Sequence, residues 1–367
     1  MDLRRGLPHT LACMAITNDI APGQLSVSEI RARTFPVCCL CGNPGEPLYC
    51  GLHDRLFGVP GTWNLKHCSR PECGLAWLDP MPLEQDIHKA YAGYHTHQNL
   101  PVSRDSWLRR AYISLRQGYL ARKYGYYRIP RSKGQEVLGL LMYLAPKRRA
   151  FVDSQVFYLS AKKQGRLLDV GCGNGEALES MAALGWQTEG LDIDPIAVQV
   201  ARSKGLKVRQ GTLQSQQFAS GAFDAVVMSH VIEHVHDPVL MMQECNRILK
   251  PGGRLVVITP NIRSWGHRIY KSDWRGLEPP RHLQIFTRSA LSALSARAGF
   301  PSSMCRAIAR RASVILEASR SLRRKQATAL RTSRASALWA KTMGGAEWAG
   351  AYLDHDAGEE LVLVSSK

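Results

Sequence analysis

The segment Leu167 to Gly175 reads L-L-D-V-G-C-G-N-G and restricts the fold more than any other stretch of this 367-residue chain. An apolar run leads into Asp169, and glycines follow at alternate positions, Gly171, Gly173 and Gly175. Next comes Glu-Ala-Leu-Glu-Ser-Met-Ala-Ala-Leu-Gly, with apolar residues at helical spacing and a glycine stop at Gly185. The pattern predicts a buried strand, a glycine turn and a helix. That layout brings a ligand against bare backbone at the carboxyl end of a parallel strand.

Neighbouring residues narrow the ligand. A dinucleotide fingerprint wants Gly or Ala three residues after its second glycine, and that position is Glu176. No Gly-Lys-Ser/Thr follows, so a P-loop is excluded. Asp169 adds negative charge beside the turn, which suits a cation better than a phosphate. The next strand, Gln187 to Leu191, runs into Asp192, about 20 residues after the turn begins, where an acid commonly accepts ribose hydroxyls. A nucleoside with a positive group and no phosphate fits, and S-adenosylmethionine is one.

Further motifs follow in order: Gly190-Leu-Asp-Ile-Asp-Pro195, Lys207 to Leu213, Phe223 to Pro238, and Leu249-Lys-Pro-Gly-Gly253 running into Arg254 to Asn261. With them the chain resembles the class I S-adenosylmethionine-dependent methyltransferases over residues 164–300, plus a last strand at Glu360 to Ser365. The resemblance implies an α/β fold with a Rossmann-like seven-stranded sheet whose last strand is antiparallel. The expected organisation is a loose tail (1–35), a zinc-ribbon-like module (36–82), a basic helical linker (83–163), the core (164–302), a basic helical insertion (303–355) and the last core strand (356–367).

The net charge of +18 is unevenly placed. Residues 102–150 hold twelve Lys/Arg against two acids, and 303–345 hold ten against one, so the remainder is near neutral. Two basic flanks suit an anionic membrane surface, a phosphate-bearing substrate or nucleic acid; solvated helix faces are the plain alternative. Helices are expected over Leu108 to Lys123, Gln135 to Tyr158, and in the second flank, where Ile308, Ile315, Leu322 and the Ala329/Leu330 pair recur among arginines and Lys325. The longest apolar run, Val137 to Ala145, falls short of the roughly 18 residues that span a bilayer. Arg4, Arg5 and Leu11-Ala12-Cys13 make a weak lipoprotein-like start, but Pro8 and His9 interrupt it. The expectation is a cytoplasmic protein, with peripheral attachment at the inner face of the membrane in view.

Ten cysteines without an export signal point to reduced thiols and a metal. Cys38 and Cys41 form a C-x-x-C pair before Gly42; Cys68 and Cys73 form a second, wider pair before Gly74. Two tight turns giving two soft ligands each suit tetrahedral Zn²⁺, with Cys39, Cys50 or His67 as substitutes for one ligand. The region resembles the zinc ribbon preceding some bacterial methyltransferases that act on sugars, including the tail Cys73-Gly-Leu-Ala-Trp-Leu-Asp-Pro80. A structural ion is expected.

Methyl transfer from a sulfonium is an in-line displacement, so the protein must align the nucleophile and take its proton. The resemblance places Asp169, Gly171, Cys172, Gly173 and Gly175 around the methionine part of the cofactor, Asp192 on the ribose, Ile193, Thr212 and Leu213 at the adenine, and Ser229 beside the methyl. His230 and His282 are the expected bases. His230-Val-Ile-Glu233-His234 matches a zinc-protease spacing, and resembles the Glu-x-x-Glu-His of ubiquinone-pathway O-methyltransferases with His230 for the first Glu. Glu233 and His234 are read as holding a helix against the core. Trp265 to His282 forms the expected substrate loop, and Thr287 caps the helix after it. Tyr94, His95 and His97 are further candidates to reach substrate. The first reading is a methyltransferase for a small metabolite or a glycan- or lipid-linked precursor. RNA or DNA methylation and a non-catalytic scaffold are the rivals. The fourth strand lacks the Asn/Asp-Pro-Pro-aromatic tetrad, and no catalytic Pro-Cys occurs.

Overall fold

The structure, a computed structural model, describes residues 30–91, 107–127, 133–324 and 334–367. Tyr94, His95, His97, Lys325, Ala329, Leu330 and most of the N-terminal tail lie outside the described residues.

The described residues begin with β1 (Ala32–Arg33), β2 (Gly45–Leu52), β3 (Trp63–Cys68), β4 (Ala76–Leu78) and β5 (Met81–Pro82). A helical layer follows: α1 (Trp107–Tyr124), α2 (Lys133–Leu138), a 3-10 turn at Gly139–Leu144, and α3 (Pro146–Gln155). The single helix expected from Gln135 to Tyr158 is thus broken twice. Gly139 lies against the α1 backbone, where a Cβ would meet the Gly118 carbonyl carbon at 2.2 Å. Pro146 starts the next helix, having no N–H to continue the previous one.

The core alternates β6 (Arg166–Val170), α4 (Glu176–Ala182), β7 (Gln187–Asp192), α5 (Pro195–Ser203), β8 (Val208–Gln210), β9 (Phe223–Ser229), α6 (Pro238–Ile248) and β10 (Leu249–Pro260). Then come α7 (Trp265–Tyr270), β11 (Gln284–Ile285), α8 (Arg288–Arg297), β12 (Ser302–Ile308), α9 (Ala312–Arg323), α10 (Arg334–Leu353) and β13 (Glu360–Ser366). The seven-stranded sheet has the order β12-β13-β10-β9-β6-β7-β8. β13 runs antiparallel to both its neighbours, while the other pairs are parallel. Central strands are apolar on both faces, as a doubly covered parallel sheet requires: Leu167, Leu168, Val226, Val227, Val256 and Val257 are fully buried.

Two expectations change. Residues 302–308 form an edge strand, so the basic insertion begins after it rather than at 303, and Ile308 belongs to the sheet. The 83–163 segment is also more than a linker. Its Tyr119, Leu120, Met142 and Val152 pack with Leu167, Ala225 and Val227, covering one face of the sheet. The ribbon is equally integrated. Its sheet has the order β11-β4-β3-β2, so the fourth strand comes from the loop after β10.

Among the described residues, no helix is long and apolar enough to cross a membrane.

Candidate active site

Strand order reverses between β6 and β9, and ligands of open α/β sheets sit at the carboxyl ends beside such a point. Here β6 runs into the glycine turn. Gly171, Gly173 and Gly175 all have positive φ (76°, 53° and 82°). A Cβ at Gly171 would strike Val231 at 2.4 Å and one at Gly175 would strike Leu206 at 2.3 Å. At Gly173 it would enter open space, which leaves a bare backbone surface facing the cleft.

Two carboxylates stand beside that surface. Asp192 accepts from Gly173 N–H (2.8 Å) and Asp194 N–H (2.9 Å), so the second strand's acid also locks the turn. Asp169 is buried and has no cation beside it among the described residues. Burial, and secondarily the charge of Asp192, push it up to about 8. A pocket that raises carboxyl pKa values in this way is complementary to a positive ligand, and the donor set fits a sulfonium nucleoside. Cys172 is buried behind the turn, and its N–H donates to Leu191. Ile193 is exposed beside Asp192 and free to cover a base. Thr212 is exposed and accepts from Ser215 N–H. Leu213 differs from expectation: its side chain is fully buried in the core, because the turn after β8 points it inward.

Ser229 ends β9, and His230 follows with a left-handed backbone (φ 58°). Its imidazole lies between two buried acids, 2.8 Å from Glu360 and 3.2 Å from Glu233. Burial alone would lower its pKa, but hydrogen bonds to Glu233 and Glu360 outweigh that and raise it to about 9. A doubly engaged imidazolium carries no lone pair, so His230 is not disposed to act as a base at neutral pH. Arg310 also pairs with Glu360 (2.9 Å), making a buried charge network that sequence spacing did not reveal.

Ile232–His234 is one 3-10 turn, not a helix, which removes the protease geometry. Glu233 instead accepts from Thr259 Oγ1 at 2.9 Å. His234 Nδ1 donates to the Arg281 carbonyl (2.9 Å), and His282 Nδ1 donates to the Gly276 carbonyl (2.8 Å). In its neutral form each ring carries its lone pair on Nε2. The two rings meet edge to face with centroids 4.7 Å apart. His282 is pushed down to about 4 by burial and is neutral, but almost no part of it reaches solvent. His234 is the more open of the two, with 22% of its side chain exposed, and Tyr91 Oη lies 3.0 Å from its Nδ1. The sequence offered His230 and His282; the geometry brings forward His234. One atom each of Glu233, His234 and His282 lie within 4.8 Å of one another.

A methyltransferase-domain family matches residues 144–301, the span that carries every one of these groups except Tyr91, Arg310 and Glu360. Over that span the chain is similar to class I S-adenosylmethionine-dependent methyltransferases. It is 39% identical over 125 residues to a ubiquinone biosynthesis O-methyltransferase of Xanthomonas oryzae pv. oryzae, covering 32% of this chain and 51% of that one. It is 40% identical over 114 residues to the protein of the same name from Xanthomonas axonopodis pv. citri, covering 28% and 48%. The chain thus spans about half the length of the curated relatives it matches. Among solved structures it is similar to a possible histamine N-methyltransferase from Thermotoga maritima, at 19% identity and a TM-score of 0.40, over 63% of this chain and 96% of that one.

Beside the methyltransferase domain, the ribbon brings its four expected cysteines together. Cys38 and Cys73 sulfurs are 3.7 Å apart, Cys41 and Cys68 sulfurs 3.3 Å, and all four lie within 4.8 Å of one another. Four thiolates on a tetrahedral zinc, each at about 2.3 Å, would stand about 3.8 Å apart. The set fits that ion without a substitute. The Cys39 thiol donates to Gln284, and His67 lies against the Cys68 carbonyl and Glu46.

The loop after β10 closes onto this ribbon. Arg281, fully buried, pairs with Asp54 and with Glu278, and Glu278 pairs with Arg275. A cavity of about 250 Å³ lies where the two meet, lined by Leu52, Arg55, Trp274, Arg275 and Leu277 among others. Trp274 donates to Glu359 (2.7 Å), which also accepts from Gly266 N–H (2.7 Å). The stretch from Trp265 to His282 is the expected substrate loop. Trp274 and Arg281 are buried and build the wall instead.

Proposed function

We propose that the chain transfers a methyl group from S-adenosylmethionine to a hydroxyl of a small metabolite or of a glycan- or lipid-linked precursor. The observation that carries this reading is the pair Asp169 and Asp192 beside the bare Gly173 backbone, a cleft built for a positively charged nucleoside. The oxygen acceptor draws support from the O-methyltransferases that the domain resembles. When bound, S-adenosylmethionine supplies a methyl already activated by positive sulfur.

The chain's own residues then have three tasks. Asp192 holds the ribose, and Asp169 favours the cationic end. His234 Nε2 takes the acceptor proton as the new C–O bond forms and the C–S bond breaks, leaving a neutral thioether. The carbonyl of Arg281 fixes the His234 tautomer, and His282 supports its ring. The imidazolium of His230 orders the strand end through Glu233 and Glu360. The four ribbon cysteines hold a structural zinc that stiffens the loop carrying Arg281 and His282.

One observation favours a second reading of the proton-accepting group. The convergence of Glu233, His234 and His282, with both Nδ1 atoms committed to carbonyls, also suits a divalent ion. Chelation separates the two: activity untouched by EDTA leaves His234 as a base, while activity lost to EDTA and restored by added ion favours the metal. The reading as a whole is tested by calorimetry with S-adenosylmethionine and by release of S-adenosylhomocysteine across a panel of hydroxylated metabolites, glycolipids and RNA. Turnover on RNA alone would overturn the proposed acceptor class. Failure to bind the cofactor would reduce the chain to a scaffold.

A further inference from the structure

The helical layer that covers one face of the sheet carries an apolar crest on its outer side. In the run Val137 to Leu144 only Gly139 and Met142 are buried, against α1 and the core. Val137, Leu138, Leu140, Leu141, Tyr143 and Leu144 all face outward, with Val137 63% and Leu144 82% exposed. Trp107 at the start of α1 and Phe151 on α3 are exposed as well. Isolated exposed leucines are ordinary on protein surfaces, but six large apolar side chains in eight consecutive positions are not. The change from α2 to a tighter 3-10 turn produces the crest. At three residues per turn the buried pair Gly139 and Met142 falls on one side, and the aliphatic residues between and beyond them are turned out.

The helices that carry the crest are basic. The described residues of α1 to α3 contain nine Arg/Lys and two acids. One of those acids, Asp153, is buried and held by Tyr119, Tyr124 and Lys123. Arg149 lies over the Tyr143 ring of the crest (5.2 Å), and Arg148 over Tyr112 (5.4 Å).

We propose that Val137–Leu144, with its rim of α1 and α3 arginines, docks on an anionic phospholipid bilayer. A bilayer offers what this surface asks for: hydrocarbon for the leucines at the depth where headgroup phosphates meet arginine. The exposed Tyr143 within the crest suits the same interface. Nucleic acid would satisfy the arginines, but an aliphatic crest gives it neither stacking nor hydrogen bonds. A second copy would satisfy the leucines while setting two strongly basic faces against each other. The docking surface does not depend on the acceptor proposed above, although an enzyme held at a bilayer would meet a lipid-linked acceptor there.

The test is co-sedimentation of the full chain with phosphatidylcholine vesicles, with and without phosphatidylglycerol. Binding is expected only with the anionic lipid and should weaken with added salt. Leu141→Ser with Leu144→Ser should lower vesicle affinity about tenfold or more, and Arg148→Glu with Arg149→Glu should abolish the preference for anionic lipid. Both variants should bind S-adenosylmethionine as the parent does, which shows that the core is folded and keeps this test separate from that of the methyl-transfer reading. Vesicle affinity unchanged in both variants overturns the proposal. So does self-association that disappears in the leucine variant, or capture of RNA in place of vesicles.

Discussion

Arg281 and Asp54 form an ion pair of 2.9 Å in which neither side chain reaches solvent. It joins the loop after β10 to the cysteine ribbon, across 227 residues of sequence. Removing one partner of a buried pair leaves the other charged and uncompensated, which costs about 3–5 kcal/mol. Asp54→Ala is therefore expected to lower stability by that order in urea unfolding. It should also weaken acceptor binding more than cofactor binding, because the cofactor turn lies on β6 and β7. A loss in cofactor affinity as large as the loss in acceptor affinity would refute the division of labour.

The ribbon's contribution can be measured by metal. One zinc per chain is expected by elemental analysis, and Cys41→Ser should lose it, since three thiolates hold zinc far less tightly than four. Chelation should loosen β11 and the His282 loop, because β4 pairs directly with that strand. Hydrogen exchange of the Leu283 to Phe286 amides reads this out. Unchanged protection after complete zinc removal would show that the ribbon does not stiffen the loop.

Asp169 sets a pH dependence on cofactor affinity. In the free protein burial and the Asp192 charge hold its pKa near 8, so below that pH it is largely neutral and attracts a cation weakly. Affinity for S-adenosylmethionine should rise as pH increases toward 8 and level off above it. Binding near neutral pH should release a proton, detected by calorimetry in buffers of different ionisation enthalpy. Asp169→Asn should remove the pH dependence and the proton release together. Asp192→Ala should abolish binding, since the same carboxylate also closes the glycine turn.

His234→Ala should lower kcat by about 10²–10⁴ while leaving cofactor affinity intact, the signature of a lost proton acceptor. His230→Gln should act differently. It removes the cation between Glu233 and Glu360, and the loss should appear chiefly as reduced stability. A His234→Ala enzyme of normal kcat would move the base elsewhere.

The parts of the site that the sequence announced are those encoded locally. Gly171 to Gly175 and Asp192 are positioned by one strand-turn-helix unit and the strand after it, and Thr287 caps its helix by accepting from Ala290 N–H three residues on. The cysteine pairs were legible because each pair comes from one tight turn closed by a glycine. What stayed hidden depends on distant partners. His230 and Glu360 are 130 positions apart, and nothing in either neighbourhood signals that they meet. β12 was hidden for another reason. It is an edge strand whose first three residues are exposed, so Ser302 to Ile308 shows no apolar alternation. Sequence does not report burial either, and burial leaves His282 less open than His234.

Glu347 on α10 offers a test of the buried carboxylates behind the loop. It is wholly inside the protein, and burial, with the nearby charge of Glu359, raises its pKa to about 9. In the unfolded chain it would titrate at the ordinary value of 4.5. Between those pH values the unfolded state gives up its proton while the folded state keeps it. Stability due to this group is thus complete below pH 4.5 and declines as pH rises toward 9, by at most about 1.4 kcal/mol per pH unit. Gln has nearly the same shape and no proton to lose. Glu347→Gln should therefore match the parent in acid and exceed it by a growing margin up to pH 9, measured by urea unfolding at several pH values. A constant difference between the two proteins across that range would mean that Glu347 is ionised in the fold, which would require a cation beside α10 to hold it.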